Sequence, residues 1–364
     1  MKLFPLARLA VLTALLPSIP VSATEIQPGV VLSEFIYEAG PYPQVHASTL
    51  AETPSGLVAA WFGGTAEGKN DVCIHLSRHR SGRWSQDIEV ANGIQTDALR
   101  HPSWNPVLFQ PKQGPLMLFY KVGRNPRDWW GELKTSTDQG DTWSTAQKLP
   151  PGFLGPVKNK PVELPNGDIL CASSTETAGS PEKWSVHFER TGDHGKTWTR
   201  TDPVNDGIQI QSIQPSILFL PDSRLKAIGR TRQNRIFEVT SDDWGLTWST
   251  MELGALPNNN SGTDAVTLPD GRHLIVYNHV AGTPGKWGGK RSPLNVAVST
   301  DARNWHAAIV LESEPGEYSY PAVILSKDGL VHISYTWKRQ RIKHVVIDPA
   351  KLITRPILDG VWPQ

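Results

Sequence analysis

The sequence predicts an all-β chain closed into a six-bladed β-propeller, and three observations carry that expectation. An octet of the form Ser-x-Asp-x-Gly-x-Thr-Trp runs from Ser136 to Trp143 and again from Ser241 to Trp248, and Thr191 to Trp198 repeats it with Thr in first place. The tryptophans recur roughly every 50 to 60 residues, a period that marks a repeat architecture. Short apolar runs bounded by Gly, Pro, Asn and Asp fill the intervals, with no long stretch of helical periodicity.

The octet has the chemistry of a tight turn. Its Asp accepts hydrogen bonds from backbone N–H groups a few residues on. Its Gly supplies a positive φ. Its Trp plugs the space beside the strands. Ser299 to Trp305 is a worn copy, and Ser81-Gly82-Arg83-Trp84 keeps only the end. These are structural turns, expected at the periphery of the blades with Trp143, Trp198 and Trp248 largely buried.

The chain has 364 residues, enough for one large domain, and its formal net charge of +1 points to no nucleic-acid or membrane partner. Met1-Lys2 and Arg8 flank an apolar run, Leu9 to Val21, followed by Val21-Ser22-Ala23 at the cleavage position. This pattern predicts a secretory signal over residues 1–23, a single domain over 24–364, and a periplasmic or secreted protein. The run is too short to span a bilayer. Cys73 and Cys171, the only two cysteines, each sit in an apolar run of a different repeat, which favours buried free thiols over a disulfide. His75 and His79 share a strand face with nothing to complete a metal site, so no metal and no cofactor is expected.

Taken in order, Val30 to Tyr37 reads as a strand, and six units with a common grammar follow. Each opens with a polar or aromatic residue at the head of an apolar strand: His46-Ala-Ser-Thr-Leu50, Asn105-Pro-Val-Leu-Phe109, Lys160-Pro-Val-Glu-Leu164, Gln214-Pro-Ser-Ile-Leu218, Asp264-Ala-Val-Thr-Leu268 and Tyr320-Pro-Ala-Val-Ile324. Turns such as Pro165-Asn166-Gly167, Pro269-Asp270-Gly271 and Lys327-Asp328-Gly329 lead to a second strand, and a third usually runs into the octet. Six antiparallel, four-stranded blades fit this grammar. The last unit has no octet after it, so the strand near Val31 is expected to complete that blade and close the ring.

In a propeller the innermost strands converge on the axis. The opening residues therefore form a candidate ring: His46, Asn105, Lys160, Gln214, Asp264 and Tyr320.

The octets resemble the Asp boxes of the sialidase (neuraminidase) superfamily, and the blade pattern extends that resemblance over nearly the whole mature chain. The resemblance implies a propeller, and an active site in which arginines bind a substrate carboxylate, an Asp serves as acid/base and a Glu-activated Tyr is the nucleophile. Arg230, in Ala227-Ile-Gly-Arg230-Thr-Arg232 before the third box, matches the second arginine. Arg291, before the strand into the Asp301 box, matches the third. Two planar guanidiniums can clamp one carboxylate through paired hydrogen bonds. Asp71 fits the acid/base position, with Glu67 as second choice, and that role needs a raised pKa. The nucleophile falls in Glu317-Tyr318-Ser319-Tyr320-Pro321: Tyr318 carries the Tyr-Ser match and Tyr320 the repeat register. Two residues apart on a strand, both are expected to face one side.

The sequence departs from the family pattern at two places. His46 stands where the first arginine is expected, and Gln214 stands where the Glu is. Glutamine takes up no proton, and an ordinary tyrosine is a poor nucleophile. Three readings follow. The first is a sialidase-like exo-glycoside hydrolase acting on an acidic sugar, sialic-acid-like or uronic. The second is a lyase in which His46 and Tyr320 serve as base and acid on a uronate. The third is a carbohydrate-binding propeller without catalysis. All three imply an acidic glycan as partner.

Overall fold

A computed structural model describes Met1, residues 27–283 and residues 286–364; the predicted secretory signal lies outside these residues. Six antiparallel sheets follow one another along the chain. In blade one the strands are Gln44–Thr53, Gly56–Gly64, Cys73–Arg80 and Arg83–Trp84, and in blade six Tyr318–Leu325, Val331–Trp337, Arg341–Ile347 and Val30–Phe35. The N-terminal strand thus pairs with Arg341–Ile347 and closes the ring, as the sequence predicts. The expectation of four strands per blade needs one correction. Ile88–Ala91 adds a fifth strand to blade one, and Arg355–Pro356 adds one to blade five. Both short segments pair with a blade edge whose N–H and C=O groups would otherwise stay open.

The strands alternate so that both faces of each blade are apolar, and six buried clusters result, one at each joint. Leu116 and Leu118 of blade two meet Val58 and Ile74 of blade one, for example. Cys73 and Cys171 are buried free thiols, as expected. Among the described residues no helix is long and apolar enough to cross a membrane.

Each Asp box lies in the turn after the third strand of its blade. In the first, Asp138 Oδ1 accepts from Ser136 Oγ at 2.7 Å and from Thr142 N at 2.8 Å, while Gly140 N donates to Ser136 Oγ at 2.8 Å. The Thr142 hydroxyl, its backbone N–H and the Ser136 hydroxyl hold the Asp138 carboxyl down at about 2. The box tryptophans are less buried than expected. Trp143, Trp198 and Trp248 are half-buried, because each lies on the rim of a joint with one face on a neighbour. Trp248 stacks on Phe188 with 3.8 Å between centroids.

The innermost strands share a device that the sequence did not disclose. In four blades two residues oppose one on the partner strand, a β-bulge, and the first of the two is left-handed: Ala47, Asn105, Gln214 and Tyr320, with φ of 55°, 39°, 58° and 53°. Pro106, Pro215 and Pro321 fill the second place in three of them. The equivalent in blade one is therefore Ala47, and the predicted register there is off by one. A left-handed backbone is unfavourable for Gln and still more for Tyr, and such strain concentrates at functional sites.

Candidate functional site

The bulge at Tyr320-Pro321 turns the Tyr320 side chain toward the axis, and Tyr320 becomes the centre of a polar cluster. Its Oη accepts from Arg230 Nη1 at 3.0 Å and from Gln214 Nε2 at 3.3 Å. Arg230 Nη1 also donates to Gln214 Oε1 at 3.2 Å. The Gln214 amide thus bridges the two, with its orientation fixed because a guanidinium only donates. Arg230 is 1% exposed. Its Nε and Nη2 both donate to Asn260 Oδ1, at 3.1 and 3.0 Å. Every one of these partners is neutral. Trp184, buried, and Trp287, exposed, flank the Arg230 guanidinium at 5.5 and 5.7 Å. Asn260 Nδ2 donates to the Trp287 carbonyl at 2.8 Å, so one side chain fixes both Arg230 and that rim loop.

Arg291 also borders Tyr320, its Cζ 5.8 Å from the ring centroid. Its Nη1 donates to Glu317 Oε1 at 2.7 Å. The same oxygen accepts from Arg339 Nε at 2.7 Å and from Ser319 Oγ at 3.1 Å. Burial raises the Glu317 carboxyl, but Arg291 and Arg339 more than offset it, and it stays ionised below its usual range. Arg339 also pairs with Glu67. Arg230 and Arg291 thus both border Tyr320, and Arg339 joins Arg291 through Glu317 as a third guanidinium.

Arg339 was not legible in the sequence. It lies in the turn between two blade-six strands, outside the repeat grammar, and its carbonyl accepts from Val45 N at 2.9 Å, next to His46. Lys158 was missed as well. It is fully buried, 5.5 Å from the Tyr320 centroid, and its Nζ donates to Asn159 Oδ1, Thr263 O and Pro321 O at 2.6, 3.0 and 2.7 Å. It pins the bulge that carries Tyr320. A buried clamp delivers it there: Glu189 accepts from Leu154 N and Gly155 N, and Lys121 Nζ donates to Pro156 O at 2.7 Å.

Other predicted residues are placed differently. Tyr318 does not share a face with Tyr320, because the bulge that begins at Tyr320 breaks the alternation; it is 1% exposed and packed into the joint of blades five and six. His46 is 1% exposed and lies under Tyr320, with ring centroids 4.1 Å apart and Nδ1 2.8 Å from Thr336 Oγ1. Burial, and then the charges of Arg339, Arg291, Lys158 and Arg230, hold its imidazole well below the usual range, hence neutral. So placed it supports the Tyr320 ring and offers no exposed base, which disfavours the lyase reading. Asp71 is exposed on the rim, and its Oδ2 accepts from Thr65 N at 2.8 Å and Thr65 Oγ1 at 2.6 Å. The Thr65 hydroxyl holds the Asp71 carboxyl low, the reverse of what an acid requires. Lys160 and Asp264 pair with each other at 3.2 Å, and Asp264 also accepts from Ser216 Oγ and Val323 N. They fasten blades three to six and border the opposite end of the axis. There a largely apolar cavity of about 1040 Å³ opens among Leu50, Leu108, Phe219 and Ile324. Asn105 is buried at its bulge in blade two.

The anhydrosialidase of Macrobdella decora is 26% identical over 235 residues, 58% of this chain and 30% of that protein, so the match spans less than a third of that relative's length. A protein of unknown function from Dyadobacter fermentans superposes with a TM-score of 0.71 at 19% identity, covering 91% of this chain and 100% of the other. The K499G mutant of NanB sialidase from Streptococcus pneumoniae gives 0.68 at 14% identity, covering 92% and 72%. The intramolecular trans-sialidase from Ruminococcus gnavus gives 0.66 at 14%, covering 89% and 98%. At these identities the structures share the fold. The BNR repeat-like domain matches residues 55–333, most of the described chain. The chain belongs to the BNR repeat-like domain family and is a propeller of the sialidase superfamily.

Proposed function

We propose that this protein is a sialidase-like exo-glycoside hydrolase acting on an acidic sugar, exported to the periplasm or beyond. One observation carries the reading: Tyr320 Oη receives hydrogen bonds from Arg230 and Gln214 in a cleft that also holds Arg291 and Arg339. A sugar carboxylate is drawn to the guanidiniums, which set the anomeric carbon beside Tyr320. As Oη attacks that carbon its phenolic proton passes to water, the Tyr320–carbon bond forms, and the departing glycosidic oxygen takes the bonding pair and, where it needs one, a proton from solvent. Arg230 and Gln214 donate to Oη and so stabilise the negative charge it takes on as that proton leaves. Water then releases the sugar from the tyrosyl intermediate.

Asp71 takes no part in this scheme while Thr65 holds its carboxylate, so the first assay uses an aryl sialoside, whose leaving group needs no proton donor. Wild type is expected to turn it over, with Tyr320→Phe slowed by about three orders of magnitude and Arg230→Ala by at least two. No turnover by wild type, or equal turnover by Tyr320→Phe, overturns the reading. Export is checked separately: N-terminal sequencing of the mature protein should begin at Thr24.

A further inference from the structure

We infer that an acidic sugar binds beside Arg230 together with one proton, which Glu176 takes up. The inference rests on the acidic-sugar reading above and adds the residue that sets its pH dependence.

Glu176 lies near the end of the strand Ile169–Thr177 in blade three. On one face of that strand Leu170 and Ala172 enter the joint with blade four. Next on the same face, Ser174 Oγ accepts from Gln214 N at 3.2 Å. Glu176, two residues further, therefore continues that face past Gln214 toward the cleft. Its register partner is Trp184, which lies 5.5 Å from the Arg230 guanidinium.

The other acids near the cleft are committed. Thr65 holds Asp71, Arg339 holds Glu67, and Arg291 and Arg339 hold Glu317. Arg127 and Arg232 hold Glu182. Glu176, half-buried, has no hydrogen-bonded or ion-paired partner among the described residues. Arg230 is its complement: a buried guanidinium whose four hydrogen bonds all run to neutral oxygens. Of five guanidinium N–H groups this leaves one without a partner.

The charged groups facing Glu176 are Arg230, Glu182, Arg127 and Arg232. Burial pushes its carboxyl up, Arg230 opposes this most strongly, and Glu182 adds to it. A ligand carboxylate on Arg230 consumes the charge that opposes the rise and sets a second anion beside Glu176. Two such groups do not both stay ionised in a desolvated site. The balance is one ligand anion and one proton bound per cleft, with the proton on a Glu176 oxygen and no bond to carbon made or broken. Affinity is then flat below the free pKa of Glu176, weakens by up to about tenfold per pH unit above it, and levels off again once the bound form loses its proton.

The test is titration calorimetry of the mature protein with N-acetylneuraminate, between about pH 5 and 8, in paired buffers of different ionisation heat. Wild type is expected to take up about one proton at the pH where affinity falls. Glu176→Gln should take up almost none and bind about tenfold tighter at the upper end, with affinity independent of pH. Arg230→Ala should lose binding. Unchanged uptake in Glu176→Gln, or wild-type binding without uptake, overturns the proton linkage and leaves the acidic-sugar reading standing. No binding by wild type, or undiminished binding by Arg230→Ala, overturns both.

Discussion

Gln214 donates its Nε2–H to Tyr320 Oη at 3.3 Å while its Oε1 accepts from Arg230 at 3.2 Å. A glutamate in that place would pair with Arg230 and accept the phenolic proton instead. Gln214→Glu therefore tests what the amide costs. Adding a positioned base gives about 10² to 10⁴ in favourable cases, and here Arg230 would hold part of the new charge. The expected result is an increase of about tenfold in turnover of an aryl sialoside, with weaker binding of an acidic inhibitor. Reduced turnover would show that donation to Oη outweighs the missing base.

Arg291 is held by Glu317, which Arg339 shares. A charge-assisted hydrogen bond to a ligand carboxylate contributes about 1.5 to 3 kcal/mol. Arg291→Ala should weaken acidic-sugar binding by about ten- to a hundredfold with the melting temperature little changed. Arg291→Lys should recover little, because one ammonium cannot hold Glu317 and a ligand in the planar fork. Full recovery by lysine would mean that charge alone matters there.

The Asp-box residues act within eight positions of one another, and their spacing announced the blades. Ring closure by Val30–Phe35 was legible because the last unit has no Asp box after it. Gln214, Arg230 and Tyr320 were found through the repeat register and the resemblance. Arg339 was hidden because its place depends on how blade six meets blade one, and Lys158 because the Glu189 clamp that aims it comes from another strand. Tyr318 was misread because a bulge breaks strand alternation and Tyr320 carries no glycine to announce it.

Trp143 is half-buried, with its indole N–H buried and unpartnered. Deleting a fully buried aromatic costs about 3 to 5 kcal/mol, so Trp143→Ala should cost about 2. The readout is chemical denaturation, and affinity for an acidic sugar should stay within about twofold, because Trp143 lies in the turn after the third strand of blade two and Tyr320 on the innermost strand of blade six. Lost affinity at unchanged stability would contradict a purely structural box.

Ring closure should be sensitive to acid. His332 Nδ1 lies 3.0 Å from His344 Nε2, and His344 Nδ1 lies 2.9 Å from Glu34 Oε1 on the closing strand. Burial, and then the neighbouring His344, hold His332 at about 4 against an ordinary 6.5. Between these values the unfolded chain binds more protons than the folded one. Stability is therefore full above about pH 6.5 and declines as pH falls toward 4. Thermal melts across that window should fall less steeply for His332→Asn than for wild type. Equal slopes would place the acid sensitivity elsewhere.

The resemblance sets His46 where a first arginine is expected, and placing arginine there separates two accounts of the cleft. If that place simply lacked a carboxylate contact, His46→Arg would improve binding. The structure argues otherwise. His46 is 1% exposed beneath the Tyr320 ring, and the nearby charges are Arg339, Arg291, Lys158 and Arg230. A guanidinium there would be buried beside these basic side chains, with Glu317 already shared by Arg291 and Arg339, and without the solvent that burial of charge requires. His46→Arg should therefore lose about 3 kcal/mol or more of stability and displace Tyr320. His46→Asn, neutral and able to reach Thr336, should fold with a smaller loss. Arg339→Ala completes the set: removing that cation should recover part of the stability lost in His46→Arg, because the two guanidiniums would otherwise repel. A double-mutant cycle on melting free energies measures this coupling directly. Additive losses would mean that Arg339 does not occupy the space a first arginine would need, and that its part in holding a ligand carboxylate must be argued from binding alone.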